Sequence, residues 1–308
     1  MNKIERVQAA LRGEPVDRVP ASFWFHFPAH QVAGGAMAQA HLDYYYRADQ
    51  DILKVMNDNV YALAGTDAIR TPGDWRKLEP APLSSEPYQN QLEGLRQIVD
   101  AVGDEVLVVT TVFNPYATGN SISGKKVTEH LHADPESVGA GLAAIAQSLA
   151  EFSRACIEAG AAGIYFSAQG GASDRFTPEE FEKYIKPNDL TVLRAAKESG
   201  ATCNILHICG HHLRMAPYAD YPAHAVNWAP QHGNLGLSQG RDLFRRTIIG
   251  GVDERGPIVN GPRQAIAAEV RAAIAEMGQA GFMIGAGCTV PDDINVQHLI
   301  WARKAVPG

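Results

Sequence analysis

The chain has 308 residues, 45% apolar and 20% charged, with a formal net charge of −7. That length supports a large core without disulfide staples, and no apolar run reaches the roughly 18 to 20 residues that cross a bilayer. The densest basic patch, RDLFRR at 241–246, reads as a solvated helix face; a chain this acidic lacks the clustered cations that replace counterions on nucleic acid, which is not expected as a partner.

The opening MNKIERVQAALRG interrupts its apolar residues with charges at helical spacing. It therefore has no signal-peptide core, and the expected location is cytoplasmic. The spacing predicts a helix from Ile4 to Leu11, ended by Gly13 and followed by the extended turn PVDRVP. ASFWF then reads as a strand, 34–51 as an aromatic helix, and Val55–Met56 as a short strand before NDN. Residues 71–90, carrying Pro72, Pro80, Pro82 and Pro87, read as a loop.

From there the chain alternates. LEGLRQIVDAV is an amphipathic helix and EVLVVTTVF a buried strand; SVGAGLAAIAQSLAEFSRACIEAG is a long helix and AAGIYFS a strand. TPEEFEKYIKPNDLTVLRAAKESG is helical, with Thr177 as N-cap and Pro178 in the first turn. ATCNILHI, AVNWA, GPIVNG and GFMIGAG supply the remaining apolar runs. Apolar strands alternating with helices indicate parallel β/α units, and eight of them predict a single (β/α)8 TIM barrel with an N-terminal helical extension, one domain over 1–308. Without the Val55–Met56 strand, the same order describes an open doubly wound sheet. No GxGxxG follows a strand and no GxxxxGK[ST] occurs, so Rossmann and P-loop nucleotide binding have no support.

The cysteines Cys156, Cys203, Cys209 and Cys288 are too sparse for a disulfide scaffold. Cys156 on a helix and Cys203 within a strand read as core. His207 and Cys209 end the ATCNILHI strand, and Cys288 follows Gly285 and Gly287 beyond the last strand. The glycines allow close backbone approach to a ligand. Two readings of these residues remain open: packed strand ends, or one imidazole and two thiolates converging as a catalytic zinc set with an open fourth position. His211 and His212, next along, are loop histidines or replacements for a ligand.

DRVPASFW, EVLVVTTVFNPYATG, TPEEFEKYIKP, ILHICG and GAGCTVPDDINVQHLIWARKAV resemble, in order across nearly the whole chain, the uroporphyrinogen decarboxylase superfamily. The resemblance implies a (β/α)8 barrel of one of two branches. One decarboxylates a porphyrinogen without metal; the other moves methyl groups between a corrinoid and a thiol on zinc. His207, Cys209 and Cys288 match the three zinc ligands of the methyltransferase branch. His26 and His30 stand where the decarboxylase branch carries two carboxylate-holding arginines, and Cys288 replaces a histidine of that branch. Neither histidine forms a permanent guanidinium fork, so uroporphyrinogen is not the expected substrate. Asp58 corresponds to the decarboxylase branch's catalytic aspartate.

Further expectations concern the pocket. Asp174, beyond the AAGIYFS strand, is placed to orient a zinc ligand or a substrate polar group. Gln169 is a neutral donor and acceptor that cannot act as a base. Trp24, Phe25, Phe27 and Tyr116 form either a wall for a ring-shaped cofactor or ordinary core. Asp292 and Asp293 read as a helix N-cap. The implied activity is zinc-dependent methyl transfer to a thiol, from a separate corrinoid protein or a small methylated compound, by a monomer or homodimer. The alternatives are a metal-dependent decarboxylase or lyase, with His26 as proton donor, and a non-catalytic corrinoid or tetrapyrrole carrier.

Overall fold

The computed structural model describes residues 1–308. Seven strands form one curled parallel sheet in chain order: β1 (Ile52–Val55), β2 (Leu107–Phe113), β3 (Gly163–Ala168), β4 (Ile205–Ile208), β5 (Ala225–Asn227), β6 (Thr247–Val252) and β7 (Phe282–Ala286). Helices return the chain between successive strands, except from β4 to β5, where the short turn Ala216–Tyr218 serves. The N-cap of Pro178–Glu180 is Thr177, as expected, its hydroxyl accepting from the Glu180 N–H.

Strand residues alternate between two cores, as a period of two requires. Ile52, Val109, Tyr165, Ile205, Ile249 and Met283 pack inside the curve of the sheet, together with Val7 and Ala10 from the helix Lys3–Leu11. Leu53, Val108, Phe166, Leu206, Val226 and Ile284 join the larger core shared with the surrounding helices. On β1 to β5 the inner positions that come next toward the carboxyl ends are polar: Lys54, Thr111, Ser167, His207 and Asn227 are all buried. A parallel sheet thus delivers its buried polar groups to one end.

The edge strands β1 and β7 are bridged by Pro20–Ser22. Ser22 N–H donates to Ile284 O (2.9 Å), Ile284 N–H to Pro20 O (2.8 Å), and Asp51 N–H to Ala21 O (3.1 Å). ASFWF, expected as a strand, makes only the isolated bridge Ala21–Ile284. Side chains take the bonds that a ladder would use: Phe23 N–H donates to Gln50 Oε1 (2.6 Å), and Tyr44 O–H donates to Phe23 O (2.9 Å). Fully buried Asp51 pins this segment, accepting from Ala21 N–H and pairing with Arg6 at 2.9 Å and Arg18 at 2.7 Å. Removing one partner from such a cluster leaves an uncompensated buried charge.

Other expectations are corrected. GPIVNG is not a strand: Pro257–Asn260 is a short helix with proline in its first turn, where its missing N–H costs nothing. The sixth strand is TIIGGV, ten residues earlier. Residues 71–90 are not all loop, because Thr71 and Asp74 form a capping box on the 3-10 helix Pro72–Lys77, and a helix starts at Glu86. Asp292 and Asp293 lie in a turn; the N-cap of the last helix, Val296–Ala305, is Asn295. In RDLFRR, Arg241 and Arg246 donate to the carbonyls of Met277, Tyr221 and Ala219, so only part of that face is free.

Candidate metal centre

His207 and Cys209 share the inner face of β4 and its extension because they are two residues apart. Cys288 arrives from the end of β7. The Nε2 of His207 and the Sγ atoms of both cysteines lie within 4.8 Å of one another, and His207 Nε2 is 3.5 Å from Cys288 Sγ. Gly287 makes this approach possible: a Cβ there would sit 2.6 Å from the Ala229 backbone, and its N–H donates to Val252 O on β6 (2.9 Å). The glycine is thus required by close packing against neighbouring chain.

Asn227, the register partner of His207 on β5, fixes the imidazole. Its Nδ2 donates to Ile249 O (2.9 Å) and Ala286 O (3.0 Å), so its Oδ1 is the accepting atom. That oxygen receives Tyr165 O–H (2.9 Å) and faces His207 Nδ1 at 2.7 Å. Burial holds Tyr165 well above the ordinary phenol range, so it remains a donor. His207 therefore carries its proton on Nδ1 and presents a free Nε2 lone pair, the arrangement that typically supports a metal-bound imidazole. Tyr165 also stacks on the ring, with centroids 5.4 Å apart and planes at 23°.

The two thiols differ. The closeness of the two sulfurs pulls Cys288 below the ordinary thiol range, while the same closeness and burial push Cys209 above it. Cys156 and Cys203 are fully buried elsewhere, and burial raises both.

The cavity beside these ligands has a volume of about 370 Å³. Lys54 lines it and is only 5% exposed. Its ammonium lies 4.2 Å from the Tyr165 ring centroid and 5.3 Å from that of Trp24, and donates to Met56 Sδ. Burial lowers its pKa to about 7, against the opposing pull of Cys288 and Asp58. Glu254 is buried with Oε2 unpartnered, and burial raises its pKa.

His26 and Asp58 are joined at 2.7 Å, and His26 lines the metal cavity with Gln169. His30 lies exposed in the short turn Ala29–Gln31. Trp24 is buried edge-on against Tyr165, with centroids 5.0 Å apart, and Phe25 packs in the core on Tyr44. Phe27 stacks near His41. Tyr116 and exposed Asp174 line an outer groove with Arg175, whose guanidinium donates to Tyr116 Oη. His211 and His212 are exposed, and His211 stacks on His232 at 4.2 Å, apart from the three-ligand group.

Sequence reasoning missed Lys54, Asn227 and Glu254. The available signal was a polar residue at an inner strand position: Lys54 alternates with Ile52 and Met56, and Asn227 interrupts AVNWA.

Fold and site together define an α/β protein with a candidate metal centre of one histidine and two cysteines at the carboxyl ends of a parallel sheet. The chain belongs to the uroporphyrinogen decarboxylase (URO-D) family, whose model matches residues 64–307. It is similar to the methylcobamide:CoM methyltransferase MtbA of Methanosarcina acetivorans, 21% identical over 338 aligned positions covering 97% of each chain. It is also similar to the methylcobamide:CoM methyltransferase MtaA of Methanosarcina barkeri, at 22% identity over 97% of this chain and 96% of the relative. A solved methyltransferase from Methanosarcina mazei shares the fold with a TM-score of 0.78 and 19% identity, over 99% of this chain and 98% of that one.

Proposed function

We propose that this chain is a zinc-dependent methyltransferase, passing a methyl group from a corrinoid protein or a small methylated compound to a thiol. The named relatives support methyl transfer. The observation that carries the metal reading is the convergence of His207, Cys209 and Cys288 within 4.8 Å. One nitrogen and two sulfurs suit zinc and leave its fourth position open. Bound zinc supplies a Lewis acid that lowers the pKa of an incoming thiol and keeps it nucleophilic toward a methyl group.

The chain's own groups provide position and charge. Asn227 aims Nε2 of His207, and the two cysteines would bind the metal as thiolates, releasing protons on loading. Lys54 places its amino group on the aromatic floor of the cavity. We read the fold as a (β/α)8 barrel, one domain over 1–308, with Pro20–Ser22 in the eighth position.

The test uses reduced, zinc-loaded protein with methylcobalamin and 2-mercaptoethanol, following loss of the methyl–cobalt absorbance and formation of the thioether by mass spectrometry. Activity should vanish on chelation and return with zinc. Equal turnover by chelated protein would overturn the metal reading. A second reading, metal-dependent decarboxylation or lyase chemistry, is favoured by the His26–Asp58 pair at 2.7 Å, which holds an imidazole beside the same cavity.

A further inference from the structure

Beside the metal cavity lies a second one of about 330 Å³, set between the loop after β1, the end of β2, and the helices Pro115–Ile122 and Pro135–Glu158. Phe113 and Gln169 line both. Asp58 lines the second, while its partner His26 lines the first, so the pair spans the partition.

Its apolar side is aromatic and rigid. Tyr88 stacks on Phe152 with centroids 4.7 Å apart and planes at 17°, and Tyr61 meets Tyr88 edge-on at 6.3 Å. Tyr61 is held by its hydroxyl on Ser148 (2.8 Å). Val112 and Leu149 complete the wall.

The polar side is mixed: Asn57, Asp58 and Asn59 are hydrogen-bonded within the chain, and other groups are free. Tyr88 Oη, on the lining, is buried without a partner; Thr118 is 6% exposed and its hydroxyl likewise has no partner within the chain, as is true of the Gln169 carboxamide and exposed Ser121. Gln169 is nevertheless fixed, because Asn114 Oδ1 accepts its N–H (3.2 Å) and Asn114 Nδ2 donates to its carbonyl (3.0 Å). Asn114 is in turn tied to buried Asp189 at 3.0 Å. A buried hydroxyl facing a cavity without a partner costs free energy unless water or a ligand supplies one.

Charge selects the ligand further. No lysine or arginine lines this cavity, and its single charged residue is Asp58. An anion would meet only a carboxylate there, and that carboxylate is already engaged by His26 at 2.7 Å, so neither sign of charge finds a free partner and the occupant is uncharged. A cavity of about 150 Å³ suffices for benzene, which leaves room here for one ring and a small oxygen substituent.

We propose that this cavity binds an uncharged single-ring molecule bearing a hydroxyl or ether oxygen, its ring between Tyr61, Phe152 and Leu149 and its oxygen on Thr118 and Gln169. As the ring-bearing part of a substrate whose reacting end enters the metal cavity, it deepens the methyl-transfer reading and rests on it. The binding itself does not.

The test is calorimetry, checked by ligand-observed NMR, on the reduced, metal-free full chain with phenol, anisole, toluene and benzoate. Phenol and anisole should bind near 1 mM, the strength accessible to ligands of about seven or eight heavy atoms, and benzoate at least about tenfold more weakly. Thr118→Val should weaken phenol about five- to tenfold and leave toluene unchanged, with Thr118→Ser restoring phenol binding. No saturable binding of phenol or anisole at about 10 mM, or benzoate binding as tightly as phenol, would overturn the proposal. Thr118→Val binding phenol like the parent would overturn the polar wall. Because no metal is present, failure of methyl transfer leaves this result standing. An active methyltransferase that binds neither phenol nor anisole would sink this inference alone.

Discussion

The two adjoining cavities share Phe113 and Gln169 but are built by opposite rules. The metal cavity is lined from the inner positions of strands, where Lys54, Tyr165, His207, Cys209 and Cys288 meet under the cross-strand brace of Asn227. The neighbouring cavity takes much of its lining from helices, carries no cation, and leaves the hydroxyls of Tyr88 and Thr118 without partners. Strand register fixes ligand geometry, while helix side chains make a receptacle selected by shape. The difference implies that damage to one cavity should leave the other working, and each prediction exploits that separation.

The largest effect belongs to the ligands. Cys209→Ala and Cys288→Ala should each reduce zinc-dependent methyl transfer about a thousandfold or more, because two remaining ligands no longer define a catalytic site. Phenol binding by calorimetry should be unchanged in both variants. Loss of phenol binding along with activity would show that the cavities are one site.

Next comes the brace. Asn227→Ala leaves His207 Nδ1 and the Tyr165 hydroxyl without their shared acceptor. Zinc affinity, measured by competition with a chromophoric chelator, should fall about 10- to 100-fold. An unchanged affinity would mean that β4 alone orients the imidazole.

The smallest effect concerns charge. Burial lowers Lys54 to about 7 from an ordinary value of 10.5, so the unfolded chain binds more protons between those limits. The penalty for the buried ammonium is complete below pH 7 and relieved as pH rises from 7 toward 10.5. Lys54→Met should raise the thermal midpoint most below pH 7, by a few degrees, with the gain shrinking toward pH 10. A gain independent of pH would assign the effect to packing.

Much of this was legible in the sequence where periodicity speaks. His207 and Cys209 are two residues apart on a strand, so they face one way wherever that strand lies, and Thr177 with Glu180 announces its helix start. Tertiary context decided the rest. TIIGGV and PIVN are both short apolar runs, and only the proline's first-turn role and the pairing of β6 with β7 separate helix from strand. ASFWF has strand composition, but Gln50 and Tyr44 intercept its backbone bonds. Lys54 and Asn227 were hidden because a polar residue in an apolar run looks like a strand's end, whereas here it is the inner face turning polar toward the site.

The most direct measurement is elemental analysis joined to zinc-edge X-ray absorption on reduced, untagged protein loaded with zinc. The account predicts about one zinc per chain, with two sulfur neighbours near 2.3 Å and a nitrogen near 2.0 to 2.1 Å. Protein that takes up no zinc, or a first shell without sulfur, would contradict it and return His207, Cys209 and Cys288 to the status of packed strand ends.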